Sequence, residues 1–576
     1  MPLSDATTAS VILPDSPASA APDMADTPVA AASSPVGTNG DHAVLANLAR
    51  SVFGLDGAGI TIGILSDSFN IHGGYAADVT SGALPAGVTV LEEGPANGGD
   101  EGRAMAEVIH QVAPGANLMF YSAFRSEADF ATGITALAAA GANIIVDDVT
   151  YLDEPFFQQG SAISQAVANV VAAGVSYFSA ASNEGNTYYE HPFSGISTPL
   201  SGLPGIYQAM NFGTPSQPSP TQSLTIATSA VITIDLQWDQ PFHSIGGGPG
   251  SADSLGLVLY DTKGKIVASA VTNRTGGDPV QVLHFTNTTG GTAFRLAIIT
   301  NGGAAPPHLL KYIVYGSGVT INDPNAGQGS GTVIGHALTP GANAVGAINA
   351  ANTPALGGNG VPEAFSAYGP GQFLFDPSGN RIAVPISGNK VNFLAPDGVA
   401  TSVFSTFYGT SAAAPEAAGV AALMLQAAPG LSPAQVTSLL QQSAVAIPGS
   451  PDQVGAGLIQ ATTAVQGALA ATVHAAGLAP AGFGFTLPGA ASPSWIAAAA
   501  PDAEPVTAVQ RAITTIAQDS TATADLTTPG GFTVAIDGGN AASDLTVTLG
   551  TAYTAGATLA SNPMAIMPDW QGQQFG

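Results

Sequence analysis

Ile60-Thr-Ile-Gly-Ile-Leu65, entered from a glycine-containing turn and followed by Ser66-Asp67-Ser68, reads as a strand buried on both faces. A short, nearly continuous apolar run is what a central strand of a parallel sheet needs, because helices cover both sides of it. Toward the C-terminus, residues 102–112 have a helical period and stop at Ala113-Pro114-Gly115, and 118–122 form a second strand. Residues 128–140 are a helix, closed by Gly141 before the strand 143–146; residues 161–173 repeat the helix, closed by Gly174 before the strand 175–180. Strand and helix alternate at βαβ spacing, which predicts an α/β fold with a parallel sheet covered by helices.

The pattern then changes. Runs at 230–238, 255–260, 266–271, 280–285, 293–300 and 309–315, some separated by glycine-rich turns, predict an antiparallel β-sandwich. The α/β pattern resumes near Gly335, with Ala344-Val-Gly-Ala347, Phe393-Leu-Ala-Pro396, a helix over 411–425 and another over 432–443 opened by Ser432-Pro433. The sandwich is therefore an insert. The expected organisation is a disordered lead-in or pro-segment at 1–41, an α/β domain at 42–195 and 326–469, the inserted sandwich at 196–325, and a C-terminal β-rich or partly disordered appendage at 470–576, with strands at 532–536 and 545–549.

Composition excludes several functions. The 576 residues carry 39 acidic and 11 basic side chains, a formal charge of −28. Phosphate binding needs Lys and Arg to displace counterions, so nucleic acid is not an expected partner; nor is an anionic membrane surface. No apolar run is long and clean enough for a transmembrane helix, so membrane insertion is not expected. Cysteine is absent, which excludes disulfides and thiolate metal sites. The first residues are rich in Ala, Ser and Pro and lack a basic n-region, so no signal peptide is visible. Protonating carboxylates near pH 4 would relieve self-repulsion and permits acid tolerance.

The sharpest chemical signal is Gly409-Thr-Ser-Ala-Ala-Ala-Pro415, leading into Glu416-Ala-Ala-Gly-Val-Ala-Ala-Leu423. A tight turn opening a helix exposes a serine hydroxyl, and the helix N-terminus favours negative charge developing beside it. Small residues let that helix cross a crowded core. A plain N-cap serine is the bland alternative.

With this segment the chain resembles the subtilisins and their relatives the sedolisins, in which a Gly-Thr-Ser-x-x-x-Pro segment opens the nucleophile helix. The resemblance implies a subtilisin-like fold and makes Ser411 the nucleophile. It extends in order to Glu101-Gly-Arg-Ala-Met105 with Val112-Ala-Pro-Gly-Ala116 for the base-bearing helix, and to Ser179-Ala-Ala-Ser-Asn183-Glu-Gly185 for the oxyanion segment, making Asn183 the side-chain donor. Glu363-Ala-Phe-Ser366, Phe393-Leu-Ala-Pro396 and Val454-Gly-Ala-Gly-Leu458 resemble later landmarks. The departures are specific. Glu101 stands where subtilisins carry histidine and sedolisins carry glutamate. Met105 stands where sedolisins place the partner aspartate, and Asn183 is the subtilisin choice. The chain therefore resembles a sedolisin-like bacterial branch of the superfamily.

Two carboxylates compete to orient Glu101. Asp67 ends the first strand, one position beyond the ungapped family match at Ser66, a slip that a bulge would correct. Asp148, in Val146-Asp-Asp-Val149, ends another strand in the segment that resembles the family's substrate-binding strand. An Asx-turn, or a calcium site shared with Asp147, is the alternative for Asp148. A glutamate with a pKa near 4.3 serves as base and then acid only in mildly acidic solution, and a neighbouring aspartate would share its proton. His110 lies on the same helix, about 13 Å further along the axis, too far to be the missing base. His191, His243, His284 and His336 fall in loop or insert contexts without metal-ligand spacing.

The expectation is a monomeric, exported or cell-surface endopeptidase with an acidic optimum, acting on polypeptides. No cofactor is expected for the chemistry, and structural calcium is allowed by the resemblance. A degenerate peptidase fold serving as a binding module is the rival reading. An esterase is less favoured, because Ala413 replaces the last glycine of a Gly-x-Ser-x-Gly elbow.

Overall fold

A computed structural model describes residues 12–14, 39–303, 305–387, 390–475, 524–527, 532–538 and 545–551. The chain divides into two compact units, residues 1–472 and 473–576.

The first unit is built on a seven-stranded sheet. Its strands are β1 (Thr61–Ser66), β2 (Thr89–Glu92), β3 (Asn117–Ser122), β4 (Ile144–Asp147), β5 (Ser176–Ala180), β6 (Ala342–Asn349) and β7 (Val391–Asp397). They lie in the order β7-β6-β5-β4-β1-β3-β2, and every pairing is parallel. The run that decides the fold is central: Ile62, Ile64 and Leu65 have no solvent exposure, and β1 pairs with β3 on one side and β4 on the other. The helices Glu127–Ala139 and Ala162–Ala172 close one face with Phe130, Ile134, Ile163 and Val167. Ser126 and Ser161 cap them through bonds to the backbone amides of Asp129 and Ser164.

Glu101–Val112 and Thr410–Ala427 are the two helices that matter most for chemistry. They touch at Gly419, where a Cβ would come within 2.7 Å of the Val112 Cβ. Only glycine allows so close an approach of the two helices.

Between β5 and β6 the chain forms two antiparallel sheets. The four-stranded sheet runs Val280–Thr286, Val231–Trp238, Leu309–Tyr315, Tyr188–Pro192, and takes its last strand from ahead of residue 196. The facing sheet has seven strands, with Asp253–Asp261 and Ala293–Gly303 at its centre. Their inner faces meet in one core, in which Ile234, Leu236 and Trp238 oppose Leu257, Leu259, Leu296 and Ile298. Burying one such side chain contributes ~1.5–3 kcal/mol. The outer face of the four-stranded sheet packs Tyr188, Ile313 and Tyr315 on Leu152, Phe156 and Phe157, just beyond β4. The insert therefore abuts the segment that follows Asp148.

Two further features had no sequence signal strong enough to read. A hairpin forms from Gln372–Phe375 and Arg381–Ser387. Val149–Tyr151 is a short strand of its own, and Ile12–Pro14 pairs with it antiparallel. The second unit contains a three-stranded antiparallel sheet, Ala524–Thr527, Phe532–Gly538 and Leu545–Thr551. Among the described residues no helix is long and apolar enough to cross a membrane.

Candidate active site

The site residues gather at the carboxyl ends of the parallel strands, the usual place for ligands in open α/β sheets. Asp67 follows β1, Asp148 follows β4, Asn183 follows β5, and Asp397 ends β7.

Ser411 is the second residue of the helix Thr410–Ala427 and is fully buried. Gly409 enters that helix at φ 105°, a left-handed conformation open to glycine, and its amide donates to Asp397 Oδ2 at 2.9 Å. Among the described residues the Ser411 hydroxyl has no hydrogen-bond partner. A buried hydroxyl left unpaired costs stability, which suits a group waiting for a substrate.

Asn183 sits beside this turn. Its Oδ1 accepts from the Thr410 amide at 2.9 Å and from the Thr410 hydroxyl at 3.1 Å. Because two donors face that oxygen, the amide orientation is determined, and Nδ2 points the other way. Nδ2 is buried without a partner, and a Cβ at Gly409 would lie 3.1 Å from it. An unused N–H donor thus lies next to an unused nucleophile.

Glu101 opens its helix and is buried. Its backbone amide donates to Asp67 Oδ1 at 2.9 Å, and the Asp67 carboxylate also accepts from the amides of Ser68 and Gly99. Asp67 therefore fastens the start of the helix through main-chain bonds. Burial pushes its carboxyl up; the Gly99, Ser68 and Glu101 amides pull the other way. Asp148 is pushed well above the ordinary carboxylate range, first by burial, then by the charges of Glu101 and Asp67. The three carboxyls form one interacting group.

Two residues that sequence reading passed over tie this group to the nucleophile. Arg103, one turn into the helix, bonds Asp78 at 2.5 Å, Asp100 at 3.2 Å and Ser402 Oγ at 2.8 Å. Glu107 accepts from the Ser402 amide at 2.7 Å and hydroxyl at 2.6 Å, and burial pushes its carboxyl up to about 7. The helix carrying Glu101 thereby grips the loop that leads to Ser411. Arg103 and Glu107, four apart, share a helix face, which was the available signal; nothing local marked Ser402 as their partner.

Asp147 bonds Ser179 and His336. His336 is buried rather than in an open loop. Among the described residues no group of three or more His, Cys, Asp or Glu side chains is arranged to hold a metal ion.

Comparison with known proteins gives a consistent picture. The subtilase family profile matches residues 82–457. Mycosin-1 of Mycobacterium tuberculosis is 36% identical over 19% of this chain and 24% of its own length. Subtilisin Savinase of Lederbergia lenta is 26% identical over 37% of this chain and 72% of its own. The structure of the Clostridium perfringens CspB protease superposes with a TM-score of 0.47 at 12% identity, covering 75% of this chain and 99% of that one. The chain spans about a quarter of Mycosin-1 and about three quarters of Savinase.

Proposed function

Since the chain belongs to the subtilase family, we propose that it is a serine-type endopeptidase in which Glu101 replaces histidine as general base and which works best in acidic solution. The observation that carries this reading is the unpaired Asn183 Nδ2 beside the turn that presents the unpaired Ser411 hydroxyl. A nucleophile and an oxyanion donor that share one corner, both unsatisfied, are complementary to a tetrahedral intermediate.

The Glu101 carboxylate takes the Ser411 proton as Oγ attacks the peptide carbonyl carbon. The carbonyl oxygen becomes an oxyanion, held by Asn183 Nδ2–H and the Ser411 amide. Collapse breaks the C–N bond, and the proton on Glu101 passes to the leaving amine. Water, deprotonated by Glu101, then hydrolyses the acyl-enzyme and frees Ser411. Asp148 orients the Glu101 carboxyl: its raised affinity for a proton lets it hold one that the pair can share. Asp67 holds the helix start.

A polypeptide substrate is supported by the strand Val149–Tyr151, directly after Asp148. Its edge pairs with Ile12–Pro14 as an antiparallel extended segment, with Ile12 opposite Tyr151 and Pro14 opposite Val149. That is β-strand addition, a general mode of peptide capture.

Labelling of Ser411 by an acylating inhibitor at pH about 4–5, with cleavage of a denatured protein, tests the proposal. Wild type labels and cuts; Ser411→Ala does neither. A wild-type protein that neither labels nor cuts from acid to mildly alkaline pH would instead be a binding module on a peptidase fold.

A further inference from the structure

Successive residues at a strand end point to opposite faces. Asp148 feels the charge of Glu101; Asp147 faces a second buried polar network. Its Oδ1 accepts from Ser179 Oγ at 2.9 Å and lies 3.0 Å from His336 Nε2. His336 Nδ1 lies 2.6 Å from Glu154 Oε2, and the His336 amide donates to Glu154 Oε1 at 3.0 Å. The ring is 2% exposed and meets the Phe130 ring edge-on. With a carboxylate oxygen on each ring nitrogen, the imidazole satisfies both only by carrying two protons. Glu154 also takes the Ser161 hydroxyl at 3.1 Å, and its carbonyl accepts from Gln237 Nε2 of the sandwich at 2.9 Å. Gln237 Oε1 in turn accepts from the Phe156 amide at 2.8 Å.

The bridge therefore encloses Asp148 and Val149–Tyr151. Asp147 stands immediately before them, Glu154 shortly after, and His336 joins the two from a distant part of the chain. We infer that His336 is a positioning residue for the peptidase reaction: by tying Asp147 to Glu154 it fixes the Asp148 carboxyl against Glu101 and the peptide-pairing edge beside it. The inference rests on the function proposed above. The titratable groups facing the ring are Asp147 from β4, Glu154 from the following segment and Glu127 from the helix Glu127–Ala139; Tyr177 of β5 faces Asp147.

The Asp147 charge is among those that raise the proton affinity of Asp148. Asp147→Asn removes that charge at nearly constant shape. Asp148 then releases its own proton at lower pH.

The test is the pH profile of kcat and KM for full-length His336→Gln against wild type, with thermal unfolding as a folding control. The expected result is a kcat lower by about 100-fold, the scale of a small misplacement at a catalytic group. KM should change little. In Asp147→Asn, measured beside it, the alkaline limb of the profile should move to lower pH. An unmoved limb in folded Asp147→Asn, or unchanged kcat in His336→Gln, overturns the inference. Failure of the peptidase reading itself is separate: wild-type cleavage would then not depend on Ser411 or Glu101.

Discussion

The Glu101 amide is held by the Asp67 carboxylate at 2.9 Å, so the base of the proposed reaction is anchored by its backbone and leaves its carboxyl available to Asp148. Asp67→Ala should therefore act first on the helix start. It deprives three backbone amides of their acceptor, each costing about 1–3 kcal/mol if left unpaired in the interior. The check is denaturant unfolding beside kcat: stability and kcat fall together, whereas Ser411→Ala lowers kcat without lowering stability.

Asn183→Ala should remove an oxyanion donor. A fall of about 10²–10³ in kcat, with KM nearly constant, is the expected scale. Steady-state kinetics on a short peptide substrate decide it, and a change confined to KM would assign Asn183 to ground-state binding.

Asp148→Asn should retain more activity than Asp148→Ala, because an amide can donate to Glu101 as a protonated carboxyl would. It should also flatten the alkaline limb of the rate profile, since an amide has no proton to lose in that range. A profile with the wild-type limb intact would assign that limb to another group.

Stability should fall as pH rises from about 4.5 to 8. Burial pushes Glu107 and Glu184 up to about 7 and Glu127 up to about 8. Between the unfolded value of a glutamate and these folded values, the unfolded chain has already lost protons that the folded chain keeps. Each group then costs up to about 1.4 kcal/mol per pH unit crossed. Urea unfolding at pH 5 and pH 8 measures it; equal midpoints would mean that these carboxyls are ionised in the fold.

The sequence carried the layout well where physics is local. The apolar run at 60–65, the glycines that end each helix and the Gly-Thr-Ser turn each state their structure within a few residues. What escaped depends on partners far along the chain. Asp67 reads as a candidate for the Glu101 side chain, but β1 ends at Ser66 and turns its carboxylate onto backbone amides. His336 looks like a loop histidine because Asp147 and Glu154, which bury and charge it, lie some 180 residues away. Tyr188–Pro192 is too short and polar to announce a strand until Leu309–Tyr315 pairs with it.

Packing at the crossing of the two catalytic helices offers a further check. Gly419→Ala places a Cβ 2.7 Å from the Val112 Cβ, and overpacking of this kind costs about 1–3 kcal/mol. The expected outcome is a lower thermal midpoint and a lower kcat; an unchanged midpoint would mean that the helices separate freely.

The most direct measurement is kcat/KM for Glu101→Gln beside wild type across pH about 3–9, on one peptide substrate, with Ser411→Ala as blank. If the Glu101 carboxylate takes the serine proton, wild type peaks in acid and the variant loses about 10²–10⁴-fold while remaining folded. A variant that cuts at the wild-type rate, or a wild-type optimum above about 7.5, would contradict it.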